Sequence, residues 1–252
     1  MLTRNKVIVA NQKVLCIGDS LATPSTSDIM YEDTWIYKMK IKYPEFDFIS
    51  QCKGGSDTRL LVSQGGGGVD PKFYPKGSDY LEHFKPSIVI LQMGIVDCAP
   101  RLFNKRLELR LLKARIMPSI VATLYIKLKK KYYGRQAKHA FVPAREFENN
   151  LNNYFLRCSR NNVSKLVIVL IGTPGLKMVE NNPRILVSIN IYNQIYKKFA
   201  AIYPFIVCVN PLIPTKYDSG IYLEDGYHPN RFGNTMVFEE VCSALESVND
   251  LY

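Results

Sequence analysis

Short, almost wholly apolar runs alternate along the chain with longer stretches of helical periodicity. Five runs read as strands: "KVLCIGDS" (13–20), "FDFISQC" (46–52), "PSIVILQMG" (86–94), "KLVIVLIGTPG" (165–175) and "FIVCVNP" (205–211). Helical patterns occupy 33–43, 104–117, 144–160, 184–202 and 232–247, and in the first of these Trp35, Met39 and Tyr43 share one face. A strand that is apolar at successive positions, rather than at every second one, needs cover on both of its faces. That is the condition of a parallel sheet between two layers of helices. The alternation of strand and helix therefore predicts a doubly wound α/β fold, and the chain shows no internal repeat.

In such folds ligands bind beyond the carboxyl ends of the strands. Three of the loops at that edge are "GDSLATP", "KGGSDT" and "GIVDCAP", and "DGYHPN" follows the fifth strand toward the same edge. Ser20 closes the first strand. Asp225 and His228 lie three residues apart in "LEDGYHPNRFG" (223–233), a segment too rich in turn formers for a regular helix. The chain has only 3 histidines. A serine hydroxyl needs a base to become a nucleophile, and imidazole titrates near neutrality. An acid on the other ring nitrogen fixes the tautomer and stabilises the imidazolium. Asp225 and His228 on one turn suit both tasks for Ser20. Alone, Ser20 reads equally well as a helix cap, and His228 as a turn residue.

The blocks "IGDSLATP" and "DGYHPN" resemble the first and last sequence blocks of the SGNH (GDSL) hydrolase family. The resemblance runs from about residue 13 to 245, with an insertion at about 102–142. It implies a flavodoxin-like, five-stranded parallel sheet with helices on both faces, forming a single domain over residues 1–252. It also implies a Ser-His-Asp triad of Ser20, His228 and Asp225 that cleaves O-acyl esters, including O-acetyl groups on carbohydrates. No metal or organic cofactor is expected. The backbone N–H of Ser20 and a glycine of "CKGGSDT" would bind the oxyanion; Gly54 and Gly55 both qualify, and Gly55 is preferred. The family's third block is Gly-x-Asn-Asp, whose asparagine also donates to the oxyanion. Here it reads "GIVD", so Val96 stands at the asparagine position and cannot donate. One such donor is worth about 3 kcal/mol, or roughly 10²–10³ in rate. Arg101 is the first candidate to replace it, with Arg59 and Asn104 behind. Arg101, Asp97 and Gly94 are candidate substrate-binding residues, and an arginine fork would suit an anionic substrate. The departure at Val96 keeps open an O-acyltransferase, or a binding protein on a degenerate hydrolase fold.

Composition narrows the remaining choices. At 47% apolar and 22% charged, the 252 residues fit a globular protein with ample core. No run approaches the ~18 apolar residues of a membrane span. The first residues, "MLTRNKVIVANQK", hold only a short apolar run, and a cytoplasmic location is expected. The 6 cysteines include no C-x-x-C pair, so they read as buried thiols.

The formal charge is +11. Between Arg101 and Lys138 there are 12 basic residues and 1 acid, Glu108, and 12 − 1 accounts for the whole excess. Within this segment, 116–135 joins an apolar stretch to Lys127, Lys129, Lys130 and Lys131. It suits peripheral contact with an anionic membrane, an acidic glycan substrate, or a helical subdomain with solvated lysines. Nucleic-acid binding ranks last, because no recognition motif accompanies the charge. "GGGG" (65–68) lacks the Lys-Ser/Thr of a phosphate loop and reads as a loop bordering the site.

Overall fold

The computed structural model describes residues 12–25, 28–62, 79–101 (Arg101 by its backbone alone), 139–213 and 220–247. The tetraglycine at 65–68, the helix expected at 104–117, Asn104 and the basic stretch 116–135 lie outside the described residues.

Five parallel strands form the sheet: β1 (Lys13–Gly18), β2 (Asp47–Cys52), β3 (Ile88–Gln92), β6 (Lys165–Val169) and β7 (Ile206–Val209). Their order is β2-β1-β3-β6-β7. A pair of two-residue strands, β4 (Pro100–Arg101) and β5 (His139–Ala140), stands apart and is antiparallel. The helices are α1 (Trp35–Lys42), α2 (Tyr80–Phe84), α3 (Ile95–Cys98), α4 (Ala144–Arg160), α5 (Leu176–Asn181), α6 (Ile185–Ile202) and α7 (Arg231–Glu246). The order begins at an inner strand, β1, and winds outward to β2 on one side and through β3 and β6 to β7 on the other. This is the doubly wound arrangement, with the reversal between β1 and β3.

Strand periodicity sends alternate residues to opposite layers. Leu15, Ile17, Val89, Leu91, Leu166 and Ile168 pack with Phe147, Leu151 and Phe155 of α4 and with Ile189, Tyr192 and Tyr196 of α6. Val14, Cys16, Ile90, Val167 and Val169 pack on the other face with Trp35 and Met39 of α1 and with Val237 and Val241 of α7. All residues of β3 and β6 are buried, which explains their unbroken apolar runs. Each large side chain taken fully from water contributes about 1.5–3 kcal/mol. Both layers are needed to bury them.

Within the described residues the expected strands and helices recur, the strands with trimmed ends. The run 165–175 continues past β6 because the chain stays buried beneath α6. There the Asn193 amide completes the Ile171 peptide, accepting from its N–H at 3.0 Å and donating to its carbonyl at 2.9 Å. The short helices α2, α3 and α5 have too few turns to show a period, so the sequence pattern did not reveal them. Four of the six thiols are buried and two are half-buried, and all are unpaired. Among the described residues, no helix is long and apolar enough to cross a membrane.

Candidate active site

Ser20 is delivered by β1. The Asp19 N–H donates to the Gln92 carbonyl at 3.2 Å, extending the β1–β3 pairing by one residue before the chain turns. Asp19 Oδ1 then accepts from Leu21 N–H at 2.9 Å and caps the single turn Ser20–Ala22. The Asp19 carboxyl is fully buried and its second oxygen has no partner among the described residues. Burial pushes it up to about 7, against the lowering effect of the Leu21 N–H. Asp19 therefore shapes the turn that presents Ser20 and does not reach the solvent side.

His228 and Asp225 arrive on the loop between β7 and α7. Tyr222 bridges Pro229, and Leu223 N–H donates to the His228 carbonyl at 2.8 Å, so the segment closes as a tight hairpin. Gly226 turns it at φ +80, where a side chain would be strained. Its carbonyl accepts from Gly175 N–H at 2.7 Å, which anchors the hairpin to the loop after β6. From the other side, Asn230 caps α7 by accepting from Gly233 N–H. Asn234 holds the Pro229 carbonyl and accepts from Trp35 N–H at 3.2 Å.

Asp225 uses both oxygens. Oδ1 accepts from the N–H groups of Tyr227 and His228, each at 3.0 Å, and Oδ2 lies 2.5 Å from His228 Nδ1. Burial pushes its carboxyl up, but the hydrogen bond with His228 and the two backbone N–H groups outweigh this and hold it below its ordinary value. The acid therefore stays ionised and fixes the imidazole proton on Nδ1. His228 Nε2, left as acceptor, is 2.9 Å from Ser20 Oγ. The structure thus brings Ser20, His228 and Asp225 into one hydrogen-bonded chain beyond the carboxyl end of β1.

The N–H groups of Ser20, Gly54 and Gly55 have no acceptor among the described residues. Both glycines lie in the turn that follows β2. Ser56 N–H donates to the Lys53 carbonyl at 3.1 Å, and Gly55 takes the positive-φ corner of that turn, at φ +74. A Cβ built on Gly55 would meet nothing within 4 Å, whereas one on Gly54 would lie 3.8 Å from Ser20 Cβ. Gly54 is the residue beside the nucleophile.

Two expectations are corrected. Asp97 is fully buried; its Oδ1 accepts from Thr58 N–H at 2.9 Å and from Thr58 Oγ–H at 2.5 Å. Burial, then the charge of Asp57, pushes its carboxyl up to about 7. It joins the β2 loop to α3 and has no face toward a substrate. Gly94 is buried at φ +117, and the space of its missing Cβ is taken by Ile171 Cδ1 at 2.7 Å. It opens α3 and packs against the β6 loop instead of lining a site.

Val96 is 9% exposed and presents no donor. Arg59 does not replace the missing amide, because its guanidinium grips Asp57 through two contacts of 2.9 Å and stacks on Phe141 at 4.7 Å. Asn150 is engaged with Thr58 Oγ. The side chain of Arg101 is outside the described structure, although its backbone pairs with His139. Sequence reasoning missed Tyr227, whose ring packs on His228 at 4.2 Å; its place between the acid and the base was the available signal. Among the described residues, no group of three His, Cys, Asp or Glu side chains is arranged to hold a metal ion.

No protein-family model matches the sequence, and no curated protein matches it. Solved structures do. The psychrotrophic esterase EstA from Pseudoalteromonas sp. superposes with a TM-score of 0.58 at 13% identity, over 95% of this chain and 99% of that one. A lipase/acylhydrolase from Enterococcus faecalis gives 0.57 at 12% identity, over 94% and 96%. A GDSL-like lipase from Bacteroides thetaiotaomicron gives 0.55 at 13%, over 94% and 89%. The sheet order, the helical layers and the full-length superposition agree. The chain has the fold of the SGNH (GDSL) lipases and esterases.

Proposed function

We propose that this protein is a serine esterase that cleaves O-acyl esters through an acyl-enzyme on Ser20. One observation carries the reading: Ser20 Oγ, His228 and Asp225 form a continuous chain at 2.9 and 2.5 Å. In the first half-reaction, His228 Nε2 takes the Ser20 proton as Oγ attacks the ester carbonyl. The same proton passes to the departing alcohol oxygen as the tetrahedral species collapses. In the second, His228 takes a proton from water, hydroxide attacks the acyl carbon, and Oγ leaves with that proton. Asp225 keeps the imidazole in one tautomer and balances its charge in both halves. The N–H groups of Ser20 and Gly54 receive the oxyanion. With Val96 in place of a third donor, this hole is weaker by about 3 kcal/mol than one with three donors.

For the alcohol half we propose a carbohydrate, and for the acyl group acetate. The support is the setting of the triad, in which His228 and Asp225 keep 22% and 40% of their side-chain surface in water. An open site of that kind suits a short acyl group on a hydrophilic alcohol. The neighbouring esterase EstA was captured inhibited by monoethylphosphonate. A phosphonate warhead is therefore the fitting probe here. A fluorophosphonate is expected to label Ser20 and to abolish hydrolysis of p-nitrophenyl acetate, and Ser20→Ala is expected to lose both. A folded protein that resists labelling would instead favour the second reading, a binding protein on a degenerate site, which Val96 supports. Acetate release from acetylated sugars tests the substrate class. Transfer of acetyl to an added sugar in preference to water would make the protein an acyltransferase.

A further inference from the structure

The turn that carries the acid and the base is closed by the backbone at Tyr227. Its backbone N–H donates to Asp225 Oδ1, a bond that every residue except proline can supply. Gly226 provides the positive φ. Yet the ring of Tyr227 lies on the imidazole of His228, with centroids 4.2 Å apart and planes 37° from parallel. The tyrosine is half-buried and rests on the edge of the core layer formed by α4 and α6. It is thus a firm surface for a ring that must keep its plane between two partners, Ser20 on one side and Asp225 on the other.

The contact also has a sign. An aromatic face is electronegative and attracts a cation within about 6 Å of its centre. His228 gains a positive charge as it takes the Ser20 proton. The attraction therefore strengthens toward the transition state, the kind of interaction that raises turnover without tightening substrate binding. The other charges near this turn are already engaged. Asp225 is bonded to His228, Arg231 is held by Asp33 at 3.2 Å, and Lys177 faces Glu224 at 3.9 Å.

Building on the esterase reading, we infer that Tyr227 is a positioning residue whose ring face holds His228 in plane and stabilises its imidazolium form. The test is a series at position 227, with kcat and KM measured separately on p-nitrophenyl acetate. Tyr227→Phe keeps the face and is expected to stay within about twofold of the parent. Tyr227→Leu fills similar space without a face and is expected to lower kcat about three- to tenfold, with KM nearly unchanged. Phenylalanines carrying one, two and three fluorines keep the shape but drain the face, so kcat is expected to step down between the Phe and Leu values. A Leu variant equal to the parent, or a flat fluorine series, would overturn the inference. So would a Phe variant as poor as Leu, since the hydroxyl would then be the active part. These outcomes are separable from failure of the esterase reading itself, which would appear as a parent protein whose Ser20 resists fluorophosphonate.

Discussion

Replacing Asp225 by asparagine changes one oxygen to an NH₂ and leaves the shape of the turn intact. The outcome depends on which way the new amide faces. In the parent, Oδ1 accepts from two backbone N–H groups at 3.0 Å each, and Oδ2 faces His228 Nδ1 at 2.5 Å. If the asparagine oxygen takes the Oδ1 position, both backbone bonds survive and the NH₂ points at Nδ1. Nδ1 must then be the acceptor, so the ring proton moves to Nε2 and faces Ser20 Oγ, where it cannot act as a base. The reverse orientation restores the acceptor but sets the NH₂ against two N–H groups, forfeiting two hydrogen bonds of about 1 kcal/mol each. That difference of ~2 kcal/mol favours the inactive tautomer roughly 30-fold. The loss of a carboxylate beside the imidazolium removes a charged hydrogen bond worth about 1.5–3 kcal/mol, or a further ~10- to 150-fold. Together they predict a fall in kcat/KM of about 10³, close to the ~10⁴ seen when the acid of a serine protease triad is changed in the same way. The assay is p-nitrophenyl acetate hydrolysis, with thermal melts to show that the turn has held. A loss of less than tenfold in a folded Asp225→Asn variant would refute the assignment of Asp225 as the orienting acid.

Three other expectations test different parts of the site. Val96→Asn restores the family's missing donor and is expected to raise kcat on p-nitrophenyl acetate by about tenfold or more; a well-folded variant with no gain would show that position 96 does not face the oxyanion. Asp97 has its carboxyl raised from 3.8 to about 7 by burial, so its folded form holds the proton more tightly than the unfolded chain does. Its contribution to stability is complete below about pH 4, declines as pH rises toward 7 and is level above, a span of at most ~4 kcal/mol. Asp97→Asn cannot ionise, so its urea midpoint is expected to fall less than the parent's between pH 5 and pH 8, and equal falls would contradict this. Gly226→Ala must hold an L residue at φ +80 and set a Cβ 3.2 Å from Met178 N. It is expected to lower Tm by several degrees and activity by about tenfold or more, since the strain sits between Asp225 and His228; parent-like activity and melting would show that the turn tolerates the change.

Local features of the chain decided a good deal. The apolar runs of β1, β3 and β6 specified strands with both faces covered, because successive positions of a strand point into opposite layers. The pairing of Asp225 with His228 was equally local: three residues apart on a tight turn, acid and imidazole meet with little help from elsewhere. Only the folded structure could decide what depends on distant partners. Ser20 and His228 are 208 residues apart, and they meet because β1 is an inner strand and both loops leave the same edge of the sheet. Gly54 stands nearer Ser20 because Gly55 takes the positive-φ corner, an assignment that two adjacent glycines leave undetermined in sequence. Asp97 looked available beside Gly94 in sequence, yet Thr58, 39 residues away, claims its carboxylate inside the core. Periodicity records how a residue meets its own strand or helix; burial, and with it the division between structural and reactive groups, is set by what packs on top.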